Sequence, residues 1–134
     1  MPKMIFVNLP VADLAASIRF YEAIGCRKND QFSDDRAASM VWSDTITFQL
    51  LTQAYFQTFA PRPLAQPREA IGMLIALSRD SRAEVDAITE AAAAAGGRAD
   101  IRERQDLGFL YGRTFEDPDG HVFEPMWMDM AAAG

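Results

Sequence analysis

The stretch FEDPDGHVFEPMWM, residues 115–128, decides the fold prediction. Its first half, Glu116 to Gly120, is rich in turn-forming residues, and an extended apolar run from His121 to Met128 follows. A turn that leads into such a run predicts the last strand of a sheet. Because side chains alternate between the faces of a strand, Phe123 is expected to pack on a helix and Glu124 to point to the opposite face.

A matching strand is predicted half a chain earlier, from Thr45 to Leu51, after a tight Ser43-Asp44 turn. Gln49 lies five residues after Asp44, as Glu124 lies five residues after Asp119. The alternation of side chains places Gln49 on the polar face of its strand and Phe48 on the apolar face, which is expected to pack on a helix. We therefore expect Gln49 and Glu124 to occupy equivalent positions in two copies of one structural unit.

Each copy also contains a helix with clear start and stop signals. Asp13 is placed to cap the first helix, which ends at Gly25. Ser81 and Glu84 form a capping box for the second helix, which ends at Gly96. The remaining predicted strands are Met4 to Leu9, Arg27 to Phe32, Ala37 to Trp42, Ile71 to Leu77, Ala99 to Arg104 and Phe109 to Phe115.

The order of elements predicts an α+β fold of two tandem βαβββ units. Residues 1–134 form a single domain, with unit one at about 4–52, a connecting loop at 53–69 and unit two at about 70–129. The connecting loop begins with Tyr55, Phe56 and Phe59 and continues through three prolines. The aromatic residues either line a ligand pocket or seal the edge of the core, and the sequence leaves both interpretations open.

Composition excludes several classes of function. The chain has 13 Lys and Arg residues against 19 Asp and Glu residues, a net charge of −6, so a nucleic-acid partner is not expected. No segment approaches the ~20 apolar residues of a membrane helix, so no membrane partner is expected. Cys26 is the single cysteine, which is typical of a reducing compartment and predicts a cytoplasmic location.

Glu124 is the candidate catalytic residue. It lies among Phe123, Pro125, Met126 and Trp127, where partial desolvation would suit a carboxylate to proton transfer or to metal binding. The alternative is a purely structural carboxylate that pairs with an arginine such as Arg113. No base lies near Cys26 in sequence, so covalent catalysis has no support.

Several motifs together resemble the vicinal oxygen chelate superfamily, which includes glyoxalase I, bleomycin and fosfomycin resistance proteins, and extradiol dioxygenases. The motifs are VNLPVADL at 7–14, SIRFY at 17–21 and FEDPDGHVFE at 115–124. The runs YGRTF at 111–115 and MWMD at 126–129 resemble a glyoxalase-like subgroup described as predicted lactoylglutathione lyases. The resemblance implies a curled, cup-shaped mixed sheet with helices on its outer face, and a homodimer.

The resemblance also assigns four metal-ligand positions, and they fall on Phe6, Gln49, Gly72 and Glu124. Only Glu124 carries a usual ligand and Gln49 a weak one, since Phe6 and Gly72 have no donor atom in their side chains. We therefore predict a protein without the usual divalent metal site and without another cofactor.

The resulting prediction is a protein that binds a small molecule in its cup, with Glu124 as the base of any metal-free proton transfer. Arg113 would pair an anionic group of the ligand. One alternative is a metal-dependent lyase of the lactoylglutathione lyase type, or an extradiol dioxygenase, that uses Glu124 and Gln49. Another is an interaction module whose cup has collapsed. The predicted lining residues are Phe6, Asn8, Gln49, Tyr55, Phe56, Phe59, Leu74, Tyr111, Arg113 and Met126.

Overall fold

The computed structural model describes residues 2–133, and the α+β fold class is confirmed. The chain divides into two compact units, Met1–Gln66 and Pro67–Gly134. Each unit has its own mixed sheet and its own long helix. None of the helices within residues 2–133 is long and apolar enough to cross a bilayer.

The first unit has the predicted βαβββ order, followed by one further helix. Its sheet has the strand order β1-β4-β3-β2, in which β1 runs parallel to β4 and the other neighbours are antiparallel. The elements are β1 (Ile5–Val11), α1 (Leu14–Ala23), β2 (Arg27–Asn29), a 3-10 turn (Asp30–Phe32), β3 (Ala37–Val41), β4 (Ile46–Thr52) and α2 (Gln53–Phe59).

The second unit repeats this topology, but two of its strands are interrupted. The elements are β5 (Ile75–Ser78), α3 (Arg82–Ala94), β6 (Arg98–Ala99), β7 (Gln105–Asp106), β8 (Leu110–Gly112), β9 (Phe115–Glu116), β10 (Val122–Met128) and α4 (Met130–Ala133). Strand β5 runs parallel to β10, as β1 does to β4. Strands β8 and β9 both pair antiparallel with β10, so together they take the place of β3. Strands β6 and β7 take the place of β2.

The predicted helix caps are present. The Asp13 carboxylate accepts a hydrogen bond from the backbone N–H of Ala16 at 3.1 Å, and the Ser81 hydroxyl accepts one from Glu84 at 3.1 Å. Each cap satisfies a backbone donor that has no partner within its helix. Gly25, with a φ of 114°, follows the end of α1 in a conformation that residues with a side chain rarely adopt.

The core of each unit lies between its helix and one face of its sheet. Tyr21 of α1 packs on Phe48 of β4, with ring centroids 5.7 Å apart, and both side chains are fully buried. In the second unit Phe115 stacks on Phe123 at 5.1 Å, and both are again fully buried. Burial of each such ring stabilises the fold by about 1.5–3 kcal/mol. The prediction that Phe48 and Phe123 point into the core is confirmed.

Four segments differ from the prediction. The predicted strand Arg27 to Phe32 ends at Asn29 and continues as a 3-10 turn, and the predicted strand Ala99 to Arg104 extends only to Ala99. The apolar run from residue 71 forms a strand only from Ile75 onward, and Ile71 and Leu74 are more than half exposed. The segment predicted to be a connecting loop begins with α2, whose first turn is capped by the Thr52 hydroxyl on the backbone N–H of Tyr55 at 3.3 Å. This cap offsets the weak helix propensity of an aromatic-rich segment.

Candidate functional site

Four polar side chains lie in one line across the entire sheet of the first unit. In the strand register Asn8 of β1 pairs with Gln49 of β4, Gln49 pairs with Ser39 of β3, and Ser39 pairs with Asn29 of β2. Residues directly opposite each other on paired strands point to the same face of a sheet. We call Asn8, Gln49, Ser39 and Asn29 the polar row; it lies on the face opposite to Phe48.

The amide of Gln49 is the least satisfied group of the polar row. Its Oε1 atom is buried and has no hydrogen-bond partner. The neighbouring Asn8 amide donates only a long bond of 3.4 Å to the carbonyl of Phe6. A buried polar group without a partner costs about 1–3 kcal/mol. The polar row is therefore equipped to bind a molecule that supplies the missing hydrogen bond.

A cavity of about 780 Å³ lies along Asn8 and Gln49, and we call it the main cavity. The aromatic residues of α2 form part of its wall, with Tyr55 and Phe59 in edge-to-face contact at 4.9 Å. The Arg36 guanidinium lies 4.4 Å from the centre of the Tyr55 ring. The lining residues are Asn8, Gln31, Phe32, Ser33, Asp34, Ala37, Gln49, Leu51, Tyr55, Phe56, Phe59, Ala60 and Pro61.

A second, smaller cavity of about 430 Å³ lies on the same sheet face. Gln49 and Phe32 line both cavities, so the two spaces share a wall. Its lining residues are Met4, Phe6, Arg27, Asn29, Phe32, Ser39, Val41, Ser43, Asp44, Thr47 and Gln49.

In the second unit, Glu124 is held by an arginine. The Arg102 guanidinium donates to the Glu124 carboxylate at 2.6 Å, and the Glu124 side chain is 19% exposed. Glu124 pairs in register with Ala76 of β5, so the strand beside it contributes no polar side chain at that position. The residue that pairs with Glu124 is Arg102 rather than Arg113, the arginine named in the sequence-based alternative.

Arg113 lies inside a cluster of carboxylates. Its guanidinium donates two hydrogen bonds to Asp100, at 2.7 and 3.0 Å, one to Glu90 at 2.9 Å and one to Asp86 at 3.1 Å. The hydrogen bonds to Asp100 and the other carboxylates raise the pKa of Arg113 and outweigh its desolvation. Tyr111 donates to Asp86 at 2.6 Å, and this bond, with that from Arg113, lowers the pKa of Asp86. The positive charge of Arg113 is therefore paired with three carboxylates of the second unit.

The structure distributes the predicted site residues over both units. Five of them line the main cavity of the first unit: Asn8, Gln49, Tyr55, Phe56 and Phe59. Phe6 lines the second cavity beside Gln49. Tyr111, Arg113, Glu124 and the half-buried Met126 belong to the second unit, as does Leu74, which is 52% exposed.

A family model matches residues 3–124 of the chain, and its description is Glyoxalase/Bleomycin resistance protein/Dioxygenase superfamily. The chain belongs to this superfamily. A search of curated proteins gives no match.

Several solved structures share the fold of this chain. A hypothetical protein from S. aureus is 28% identical with a TM-score of 0.78, and the match covers 95% of this chain and 94% of that one. A glyoxalase-related enzyme from Fulvimarina pelagi is 22% identical with a TM-score of 0.78, covering 95% and 88%. The fosfomycin resistance protein FosX from Mesorhizobium loti is 19% identical with a TM-score of 0.70, covering 99% and 98%.

The residues at the ligand positions implied by the superfamily do not fit a divalent metal. Phe6 and Gly72 carry no donor atom, and Glu124 already pairs with Arg102. Within residues 2–133 no group of three or more His, Cys, Asp or Glu side chains is arranged to hold a metal ion. A catalytic metal site takes about three protein ligands. The Gln49 amide alone does not provide such a set.

The register of the second sheet also changes the position that corresponds to Phe6. Ala76 pairs with Glu124 as Asn8 pairs with Gln49. Phe6 lies two residues before Asn8, and Leu74 lies two residues before Ala76, so Phe6 corresponds to Leu74 and not to Gly72. A leucine side chain has no donor atom either, so the mismatch with a metal site holds for both assignments.

Asn29, Ser39 and Arg27 also lie on this face, although the sequence did not predict them as site residues. The alternation of faces along the predicted strand Ala37 to Trp42 would have grouped Ser39 with Gln49, because a tight turn joins the two strands. Arg27 and Asn29 lie on a strand of three residues, which is too short to show a periodic pattern.

Proposed function

We propose that this superfamily member binds a small molecule in the main cavity of its first unit, without a divalent metal. The proposal rests on Gln49, which lines a 780 Å³ cavity and whose buried Oε1 atom has no hydrogen-bond partner. Pockets of about 300–1,000 Å³ suit ligands of drug-like size. A ligand with an N–H or O–H group would satisfy this oxygen and recover the free energy that its burial costs.

The aromatic side chains that line the main cavity favour a flat, aromatic ligand. Tyr55, Phe56 and Phe59 present ring surfaces to the cavity, and the contact between Tyr55 and Phe59 fixes the orientation of both rings. Aromatic pairs gain about 0.5–1.5 kcal/mol beyond the burial of their surface. The expected ligand therefore combines an aromatic body with a hydrogen-bond donor near Gln49.

Binding is favoured over the metal-dependent alternatives because of the donor set. A lyase or dioxygenase that used Glu124 and Gln49 would need further ligands, and Phe6, Leu74 and Gly72 offer none. The Arg102 guanidinium already pairs with the Glu124 carboxylate, so this carboxylate has a cationic partner without a metal ion.

Calorimetric titration with naphthalene-2-carboxamide tests the proposal, because this probe combines a flat aromatic body with an N–H donor. The wild-type protein is expected to bind it, and Gln49→Leu is expected to weaken binding by about tenfold, the value of one buried hydrogen bond. The methyl ketone 2-acetylnaphthalene lacks the donor and should bind the wild type and Gln49→Leu equally.

Thr89→Val is the matched control, because Thr89 is a buried residue of α3 in the second unit whose hydroxyl donates to Val85. This variant should bind the carboxamide as the wild type does. Absence of binding by the wild type, or equal binding by Gln49→Leu, would contradict the proposal.

A further inference from the structure

Arg27 places an uncompensated positive charge on the wall of the second cavity. It belongs to β2 and pairs in register with Val41 of β3. Among residues 2–133, no carboxylate lies within ion-pair distance of the Arg27 guanidinium and no side-chain hydrogen bond engages it. By contrast, Lys28 beside it pairs with Asp30 at 3.3 Å. The free guanidinium is thus available to a ligand.

Three neutral side chains of the same sheet face, those of Asn29, Ser39 and Thr47, can form hydrogen bonds in the second cavity. Asn29 lies two residues after Arg27 along β2, and the register continues from it to Ser39. Ser39 is 4% exposed and Thr47 is 3% exposed, and both line the second cavity. Amide and hydroxyl donors beside a guanidinium are the groups that bind a carboxylate.

One carboxylate, Asp44, lines the same cavity. It lies in the turn between β3 and β4, where aspartate is favoured by the local backbone, and it is exposed. Asp44 does not form an ion pair with Arg27, so the two charges act separately on a ligand. An anion bound at Arg27 is expected to be repelled weakly by Asp44 through solvent.

The second cavity borders the main cavity. Gln49 and Phe32 line both, so a ligand that contacts the Gln49 amide reaches either space. The larger space has the aromatic wall of Tyr55 and Phe59, and the smaller one has the guanidinium of Arg27.

We infer that the ligand is an aromatic carboxylic acid whose ring occupies the main cavity and whose carboxylate binds Arg27 in the second cavity. This inference rests on the proposed function, because it assigns a chemical class to the ligand of the same site. The Gln49 amide would contact the middle of such a ligand, between the ring and the carboxylate.

The test compares two probes that differ only in charge, 3-(2-naphthyl)propanoate and 3-(2-naphthyl)propanamide, by calorimetry. The wild type is expected to bind the acid at least about tenfold more tightly than the amide, since a hydrogen bond to a charged group is stronger than a neutral one. Arg27→Met should abolish this preference and leave the affinity for the amide within about twofold. Asp44→Asn should strengthen binding of the acid and leave the amide unaffected, because it removes the repulsion.

Arg19→Met is the control for net charge, because Arg19 is an exposed residue of α1 that lines neither cavity. It should retain the full preference for the acid. The inference is overturned if the wild type binds both probes equally, or if Arg27→Met keeps the preference. Failure of the proposed function would give a different result. In that case Gln49→Leu would leave the affinities for 3-(2-naphthyl)propanamide and naphthalene-2-carboxamide unchanged.

Discussion

The guanidinium of Arg102 lies 2.6 Å from the carboxylate of Glu124, and an interruption in the second sheet brings it there. Between β6 and β7 the chain leaves the sheet at Asp100, which adopts a φ of 55°. The Thr114 hydroxyl then accepts a hydrogen bond from the backbone N–H of Arg102 at 3.0 Å. The backbone of this segment is therefore fixed in a position from which Arg102 reaches Glu124.

This ion pair predicts that the protein does not bind divalent metal ions at Glu124. Calorimetric titration with Mn²⁺ and with Zn²⁺ is expected to show no one-to-one site, because a single carboxylate that already has a cationic partner falls short of about three ligands. Arg102→Met should not create such a site, since it adds no donor. A stoichiometric site in the wild type that disappears in Glu124→Gln would show that Glu124 is a metal ligand.

Replacement of Arg113 is expected to destabilise the protein strongly. The Arg113 side chain is 2% exposed and pairs with Asp86, Glu90 and Asp100. Its three partner carboxylates are 35–65% exposed, so water hydrates them once the arginine is gone, and Arg113→Met should lower the free energy of unfolding in urea by about 1–3 kcal/mol. Arg19→Met removes an exposed arginine of α1, and it should cost at most about 1 kcal/mol. Equal effects of the two variants would contradict the assigned role of Arg113.

The same cluster predicts a loss of stability in acid. The pKa of Asp100 is lowered by its hydrogen bonds from Arg113, and the pKa of Asp86 is lowered by Tyr111 and Arg113. A carboxylate whose pKa is lower in the folded state stabilises the protein above its unfolded pKa of about 3.9. This stabilisation is lost as the pH falls through the folded pKa. The free energy of unfolding should thus decrease below about pH 4, and less steeply in Asp100→Asn; parallel pH curves would contradict this.

Cys26 is expected to be unreactive in the folded protein. Burial raises the pKa of its thiol to about 12, and the residue is 7% exposed. At about pH 8 the folded protein should react with Ellman's reagent only as fast as the first unit opens, because the thiolate is the nucleophile. Addition of urea should release one thiol at once. Immediate labelling in native buffer would show that Cys26 is accessible.

The fold was predictable where local signals agree with the tertiary structure. The caps at Asp13 and Ser81 and the inward faces of Phe48 and Phe123 follow from local pattern alone. The interruption of the strands in the second unit was not predictable, because it depends on side-chain contacts across the chain, such as that between Thr114 and the Arg102 backbone.

The candidate site was predictable only in part. The alternation of faces found Gln49, and Asn8 was among the predicted lining residues, but the continuation of the polar row to Ser39 and Asn29 requires the strand register. Alternation also grouped Tyr111 with Arg113, and it gave no sign that carboxylates from α3 surround that arginine. The homodimer and the cytoplasmic location stay predictions, and light scattering tests the first of them.

The most direct test of binding in the main cavity is an NMR titration of the ¹⁵N-labelled protein with naphthalene-2-carboxamide. The side-chain NH₂ signals of Asn8 and Gln49, assigned with Asn8→Ser and Gln49→Leu, report on the polar row. We expect both to shift in a saturable way, together with the backbone signals of α2 around Tyr55 and Phe59. Saturable shifts confined to residues of the second unit, around Glu124, would contradict the account.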